Sequence, residues 1–251
     1  MQRRRFTALA LLLAIAAPAL GQMPTAPPAA PPIPVAEAPR PATVKVSIVT
    51  TAGPILLELE KERAPITTGN FLRYVDQKRF DGTSFYRAVT VPGTPDFGLV
   101  QGGVNNDPKR LFPPIAHEPT TKTGLAHVDG MISMGRNAPG TAAGDFFFTV
   151  GAMPYMDADP TKAGDNLGYA AFGHVIDGMG VLKTILAAPR SLTKGEGVMR
   201  GQMLAAPITI ISIRRVGAPP APVPAKVATP AKAAAKPAAK APAKPVTPSK
   251  P

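Results

Sequence analysis

Prolines limit which parts of this chain can fold. They recur at Pro24, Pro27, Pro28, Pro31, Pro32, Pro34, Pro39 and Pro41, and again through an Ala-Pro-Lys repeat from Gly217 to Pro251. Such segments favour extended polyproline conformation and hold too few large apolar side chains to offset the entropy of ordering them. Residues 22–42 therefore read as a linker and residues 217–251 as a disordered tail. Any core must lie in residues 43–216, about 174 positions.

Ahead of the linker the chain reads Met1-Gln2-Arg3-Arg4-Arg5, then an apolar run from Phe6 to Ala17, then Pro18-Ala19-Leu20-Gly21. A basic start, a short apolar stretch and small residues at its end are the layout of a secretory signal peptide over residues 1–21, with cleavage expected after Gly21. The apolar run falls well short of the roughly 20 residues of a membrane-spanning helix, so no anchor is expected after cleavage. Cysteine is absent, which removes disulfides, thiolate metal sites, thiol nucleophiles and a lipid-modified cysteine together. A bacterial periplasm is the expected compartment, with full secretion as the alternative.

The formal net charge of +12 sits mostly at the ends. Of 28 lysines and arginines, three fall in the signal and six lysines follow Val216, which leaves 19 between them against 16 acidic side chains. A nearly balanced core points to no specific nucleic-acid partner. The basic tail could adhere to anionic envelope polymers by charge alone, or serve only as a spacer.

Within residues 43–216 the patterning is strand-rich. Val44, Val46 and Ile48 alternate, Thr51-Ala52-Gly53-Pro54 supplies turn chemistry, and Ile55, Leu57 and Leu59 alternate again, predicting a hairpin. Further strands are predicted over Ser84 to Val89, Leu99 to Gly102, Met131 to Met134, Phe146 to Val150, Ala170 to Ile176 and Ile208 to Arg214. Eight strands suffice for a closed barrel. Two helices interrupt the series. One starts near Pro65, carries Phe71, Tyr74 and Val75 on one face and runs to Asp81-Gly82; the other runs from Met179 to Pro189 with Leu182, Ile185 and Leu186 on one side. They are expected to plug the barrel's open ends.

Most familiar catalytic patterns are absent. There is no Gly-x-Ser-x-Gly, no Gly-x-x-x-x-Gly-Lys and no His-Glu-x-x-His, and His117-Glu118 lacks the second histidine of a zinc helix. The three histidines are too scattered for a metal site, so structural or solvent-facing roles are expected for them.

The informative stretches are Pro65-Ile-Thr-Thr-Gly-Asn-Phe-Leu-Arg-Tyr-Val75, Phe80-Asp-Gly-Thr-Ser-Phe-Tyr-Arg87, and, after an insertion-like Pro92 to Asp96, Phe97-Gly-Leu-Val-Gln-Gly-Gly103. Gly130-Met-Ile-Ser-Met-Gly-Arg136, Asp145-Phe-Phe-Phe148 and Phe172-Gly-His-Val175 follow. In this order and spacing they resemble the cyclophilin family across roughly Val44 to Arg214. The resemblance implies a mainly β fold, a closed eight-stranded antiparallel barrel capped by two α-helices. It also implies an enzyme that rotates the peptide bond before proline in polypeptide substrates without any cofactor; no metal is expected, and the exported chain is expected to be a monomer. Arg87 stands where the family has its essential arginine and Gln101 where it has the neighbouring glutamine. Phe147 matches the floor of the proline pocket, Leu99 an aliphatic wall and Met156 a later wall. The pocket phenylalanine falls on Phe97 or, by strict counting back from Gln101, on Gly98.

Several positions depart from the family pattern. Asp145 replaces a common glutamine, Tyr155 stands where eukaryotic members often carry tryptophan, and Tyr169 where many carry histidine. Gly135-Arg136 replaces an Ala-Asn pair whose backbone binds substrate in many members. With the tryptophan missing, weak inhibition by cyclosporin is expected. Two rival readings follow from the same residues. One is a peptide-binding module that keeps the pocket but turns over little, against which the retention of both Arg87 and Gln101 argues. The other is an envelope-attachment protein whose tail is the working part.

Overall fold

The computed structural model describes residues 42–217. The signal peptide at 1–21, all but the last residue of the linker and the tail beyond Gly217 lie outside the described residues. Eight strands are present: β1 (Thr43–Thr50), β2 (Gly53–Glu60), β3 (Ser84–Val91), β4 (Thr94–Gly103), β5 (Met131–Met134), β6 (Asp145–Val150), β7 (Ala171–Asp177) and β8 (Met203–Arg215). They close into a barrel in the order β1-β2-β7-β5-β6-β4-β3-β8, every pairing antiparallel. The expected eight-stranded barrel is therefore the fold.

Period-two alternation decides what faces inward. Val46 and Ile48 of β1, Ile55, Leu57 and Leu59 of β2, Val100 of β4 and Phe146 and Phe148 of β6 are all buried in one core. Phe71, Phe80, Phe146 and Phe172 fill one end of that core, with ring centroids 5.1 to 5.4 Å apart from Phe71. Helix α1 (Pro65–Asp76) closes that end: Thr68 Oγ1 donates to the carbonyls of Glu60, at the end of β2, and Phe172, at the start of β7. Helix α3 (Met179–Ala187) closes the other, where Gly178 at φ +94° abuts Pro54 and Ile55 and Val181 lies against Gly53. A four-residue helix, α2 (Thr120–Thr123), lies in the long connection between β4 and β5.

Three local expectations change. Helix α1 ends at Asp76 and not at Asp81-Gly82, because Lys78 takes the left-handed conformation at φ +55° and the amides of Lys78 and Arg79 turn back to the carbonyls of Val75 and Tyr74. The expected gap between strands ending at Val89 and starting at Leu99 closes. Val91 pairs with Thr94, so Pro92-Gly93 is a two-residue hairpin turn and β3 and β4 run on to meet there. Proline presets the first turn position, and Gly93 at φ +81° takes the second. Strand β8 also begins five residues earlier than predicted, at Met203.

Candidate active site

The site is built on the outer face of four adjacent strands. Arg87 of β3 lies opposite Gln101 of β4, Gln101 opposite Phe147 of β6, and Phe147 opposite Ser133 of β5. Four residues far apart in sequence thus form one row across the sheet, with neighbours at cross-strand contact distance.

A β-bulge makes the row possible. Phe85 and Ala88 both point into the core, three positions apart, where strict alternation would turn one of them outward. The register slips between Phe85 and Arg87, so Tyr86 and Arg87 together oppose Gln101. A bulge of this kind puts two neighbouring side chains on one face. Both reach Gln101: Arg87 Nη1 donates to Oε1 at 2.7 Å, and Gln101 Nε2 donates to the Tyr86 hydroxyl at 2.9 Å. Tyr86 was not picked from the sequence, although the Phe85/Ala88 spacing was the signal for it.

Gln202, just before β8, was also missed. Its Oε1 accepts from Arg87 Nε at 2.9 Å and Nη2 at 2.5 Å. Of the five N–H groups of the guanidinium, three are thereby engaged, and one each on Nη1 and Nη2 has no partner among the described residues. Burial pulls the Arg87 pKa down and the nearby Tyr86 and Tyr169 oxygens push it back, but an arginine keeps its proton at neutral pH regardless. Asp145 lies beside the Tyr86 hydroxyl. Burial raises its pKa from the ordinary carboxylate value, against the backbone N–H of Asn105, which it accepts at 2.7 Å. Burial and that carboxylate also push the Tyr86 hydroxyl up, so it stays protonated.

Phe147 is 4 % exposed although it faces outward. Tyr169 packs edge-on to it with ring centroids 5.3 Å apart. Tyr169 is held from behind by Arg136, whose guanidinium lies 5.1 Å from the tyrosine ring and donates to the Gly168 carbonyl and to both oxygens of Asp165. The Arg136 side chain is thus engaged away from the row, which leaves its backbone for any substrate contact. Gly135 has no side chain between its Cα and the Gln101 amide: a Cβ there would come within 3.4 Å of Nε2. Leu99 lies on the same face as Gln101, two positions back along β4, and is half-buried.

Met156 lies half-buried on a 3-10 turn (Pro154–Met156), and its carbonyl accepts the Tyr169 N–H at 2.9 Å. Tyr155, on the same turn, is 60 % exposed. The choice between Phe97 and Gly98 goes to Phe97 for the outer face. Gly98 points inward, where a Cβ would meet the Val89 carbonyl oxygen at 1.9 Å. Phe97 lies over Gly151, past Leu99 from the Arg87 row. Two hollows, of about 400 Å³ beside α1 and Arg215 and about 590 Å³ between β7 and α3, contain none of these residues.

Beneath Phe147 lies a second buried group. His127 Nδ1 is 2.6 Å from Asp157 Oδ1 and its Nε2 is 3.0 Å from Ser133 Oγ, with the imidazole stacked 6.1 Å from the Phe147 ring. The Asp-His-Ser order is that of a hydrolytic triad, but Ser133, at the end of the row, has no exposure, so the trio serves as support. Burial lowers the His127 pKa, against the pull of Asp157. The neutral ring donates from Nδ1 to Asp157 and accepts the Ser133 hydroxyl proton at Nε2. A histidine whose pKa falls on folding stabilises the fold fully above its unfolded value, about 6.5, and that stability is lost as pH falls toward the lowered folded value. The denaturation midpoint is therefore expected to fall below about pH 6.5, at no more than about 1.4 kcal/mol per pH unit. His127→Gln should flatten that limb. Asp145 carries the opposite sign, its stability being lost as pH rises through its raised pKa, so the histidine limb is read as the difference between wild type and His127→Gln.

The family model described as cyclophilin type peptidyl-prolyl cis-trans isomerase/CLD matches residues 44–214. A peptidyl-prolyl cis-trans isomerase of Acinetobacter baylyi is 35% identical over 177 residues, covering 69% of this chain and 86% of the relative. A peptidyl-prolyl cis-trans isomerase of Streptomyces antibioticus is 33% identical over 154 residues, covering 60% and 88%. A crystal structure of a Cryptosporidium parvum cyclophilin type peptidyl-prolyl cis-trans isomerase, in the presence of the dipeptide Ala-Pro, shares the fold at a TM-score of 0.54 and 22% identity, covering 69% of this chain and 99% of that one.

Proposed function

The chain belongs to the cyclophilin-type peptidyl-prolyl cis-trans isomerases, and from that premise we propose that it accelerates rotation of Xaa-Pro bonds in exported polypeptides, with Arg87 stabilising the half-turned imide. Resonance gives the peptide C–N bond a rotation barrier of about 18–20 kcal/mol. Only that resonance has to be lost, and no covalent intermediate forms. At the twisted transition state the proline nitrogen becomes pyramidal and regains a lone pair that the planar ground state lacks. A donor aimed at that lone pair acts on the transition state more than on the substrate, and this difference raises rate.

The observation that carries the reading is the state of Arg87. Its guanidinium is held on three N–H groups by two neutral amides, with one N–H on each terminal nitrogen left without a partner among the described residues, in the same cross-strand row as Phe147 two strands away. In this reading Phe147, Leu99 and Met156 hold the pyrrolidine ring, Gln101 orients Arg87, and the backbone of Gly135-Arg136 meets the peptide. Tyr169 and Tyr155 line the outer wall, Asp145 fixes Tyr86, and Phe97 supports the far end of the site.

Export rests on the basic and apolar pattern of residues 1–21, and the periplasm on that pattern with the absence of cysteine. There the clients are chains waiting on proline steps that take tens of seconds or more uncatalysed.

The activity is tested by magnetisation exchange between the cis and trans signals of an Ala-Pro peptide. Exchange cross-peaks are expected when catalytic amounts of the chain are added, and their absence would contradict the assignment. Fractionation of cells producing full-length chain and chain lacking residues 217–251 separates the tail's role: both should reach the periplasm with equal isomerase activity. Envelope retention lost with the tail, in a chain that shows no isomerase activity with or without it, would favour the tail as the working part.

A further inference from the structure

We propose that Gln202 is a positioning residue for the isomerisation, holding one edge of the Arg87 guanidinium without neutralising it. The inference rests on the assignment of Arg87 above. Gln202 is itself fixed on both sides. Its carbonyl accepts the Ala88 N–H at 3.0 Å, just past the β3 bulge, and its own N–H donates to the Met199 carbonyl at 3.0 Å. The next residue, Met203, pairs with Arg87 in the β3–β8 ladder. The amide oxygen is thus delivered by backbone held in a sheet, and one oxygen accepts from both Nε and Nη2.

Two consequences follow. With Gln101 on Nη1 and Gln202 on the Nε/Nη2 edge, the guanidinium plane is held at two separate points and cannot swing about its long stem. The second consequence is chemical. A carboxylate at this place would satisfy the same two donors but would offset the charge that the imide nitrogen is to meet, whereas an amide leaves that charge whole. Preorganised donors act in the transition state because no reorganisation remains to be done there.

The test is steady-state isomerisation of an Xaa-Pro peptide by the full chain carrying Gln202→Ala, Gln202→Glu, Arg87→Ala, or Arg87→Ala with Gln202→Ala. Gln202→Ala is expected to lower kcat about tenfold, the scale of one lost hydrogen bond to a charged group, with KM within about twofold. Gln202→Glu, which keeps the length and the acceptor, is expected to lower kcat as well. In the Arg87→Ala background Gln202→Ala should cost nothing further, because the group it positions is gone. Wild-type rates in both Gln202 variants would overturn the proposal, and so would an equal loss with and without Arg87, which marks a role in folding alone. If Arg87→Ala itself keeps wild-type turnover, the assignment of Arg87 fails first.

Discussion

Arg87→Ala is expected to lower kcat/KM for an Xaa-Pro peptide by about a hundredfold or more while the barrel stays folded. The size follows from what a preorganised donor contributes when it is aimed at charge or a lone pair that develops only in the transition state, about 3–4 kcal/mol. Retention of the fold follows from where the side chain lies. Arg87 points outward from β3, whereas its neighbours Phe85 and Ala88 fill the core. Gln101 and Gln202 are both half-buried, so water can replace the lost guanidinium as their partner. The thermal midpoint of the variant should therefore stay close to wild type. A variant that folds and turns over at the wild-type rate would remove Arg87 from the chemistry.

The largest effect on stability is expected at Glu118. Helix α1 begins with Ala64 as its cap, which has no side chain to accept the orphan amides of the first turn, and Pro65 at the first helical position removes one of them. Those of Ile66 and Thr67 are met from 52 and 51 residues downstream. The fully buried Glu118 carboxylate accepts from Ile66 N at 3.2 Å, Thr67 N at 2.7 Å and Thr67 Oγ1 at 2.7 Å. A carboxylate at a helix N-terminus also opposes the positive end of the helix dipole. Glu118→Ala leaves the Thr67 N–H and hydroxyl buried and unpaired and the Ile66 N–H without its acceptor, at a cost of about 3 kcal/mol or more. For a domain of this size that corresponds to a drop of roughly 6–12 °C in Tm. Glu118→Gln, which keeps one acceptor, should fall between. A midpoint unchanged in Glu118→Ala would mean that the helix start is satisfied by other means.

These two residues also show what could be read from sequence and what could not. The β1–β2 hairpin was legible because its alternation is local: each of Val46, Ile48, Ile55 and Leu57 announces its face within a few residues. Phe147 was legible as an outward residue between two inward phenylalanines, and the barrel followed from eight such strands. Glu118, by contrast, reads as half of an incomplete zinc motif, since its partners lie 51 and 52 positions away and only the closed barrel brings them together. Gln202 is 115 positions from Arg87 and belongs to no motif. Gly98 and Phe97 could not be told apart by counting, because β4 is irregular against β3 between Thr90 and Val91. Each of these depends on register between distant strands, which local pattern does not encode. The family resemblance supplied the Arg87–Gln101–Phe147 set. The way that set is held, through the Tyr86 bulge and Gln202, came only from the fold.

The central claim is that Arg87 acts on the half-turned bond and not on the bound peptide. NMR line-shape analysis of an Xaa-Pro peptide titrated with wild type and with Arg87→Ala measures the two quantities separately, the dissociation constant and the cis-trans interconversion rate of peptide on the protein. The account predicts a dissociation constant within a few-fold of wild type and an on-protein rate lower by about a hundredfold. An unchanged on-protein rate with weakened binding alone would contradict it.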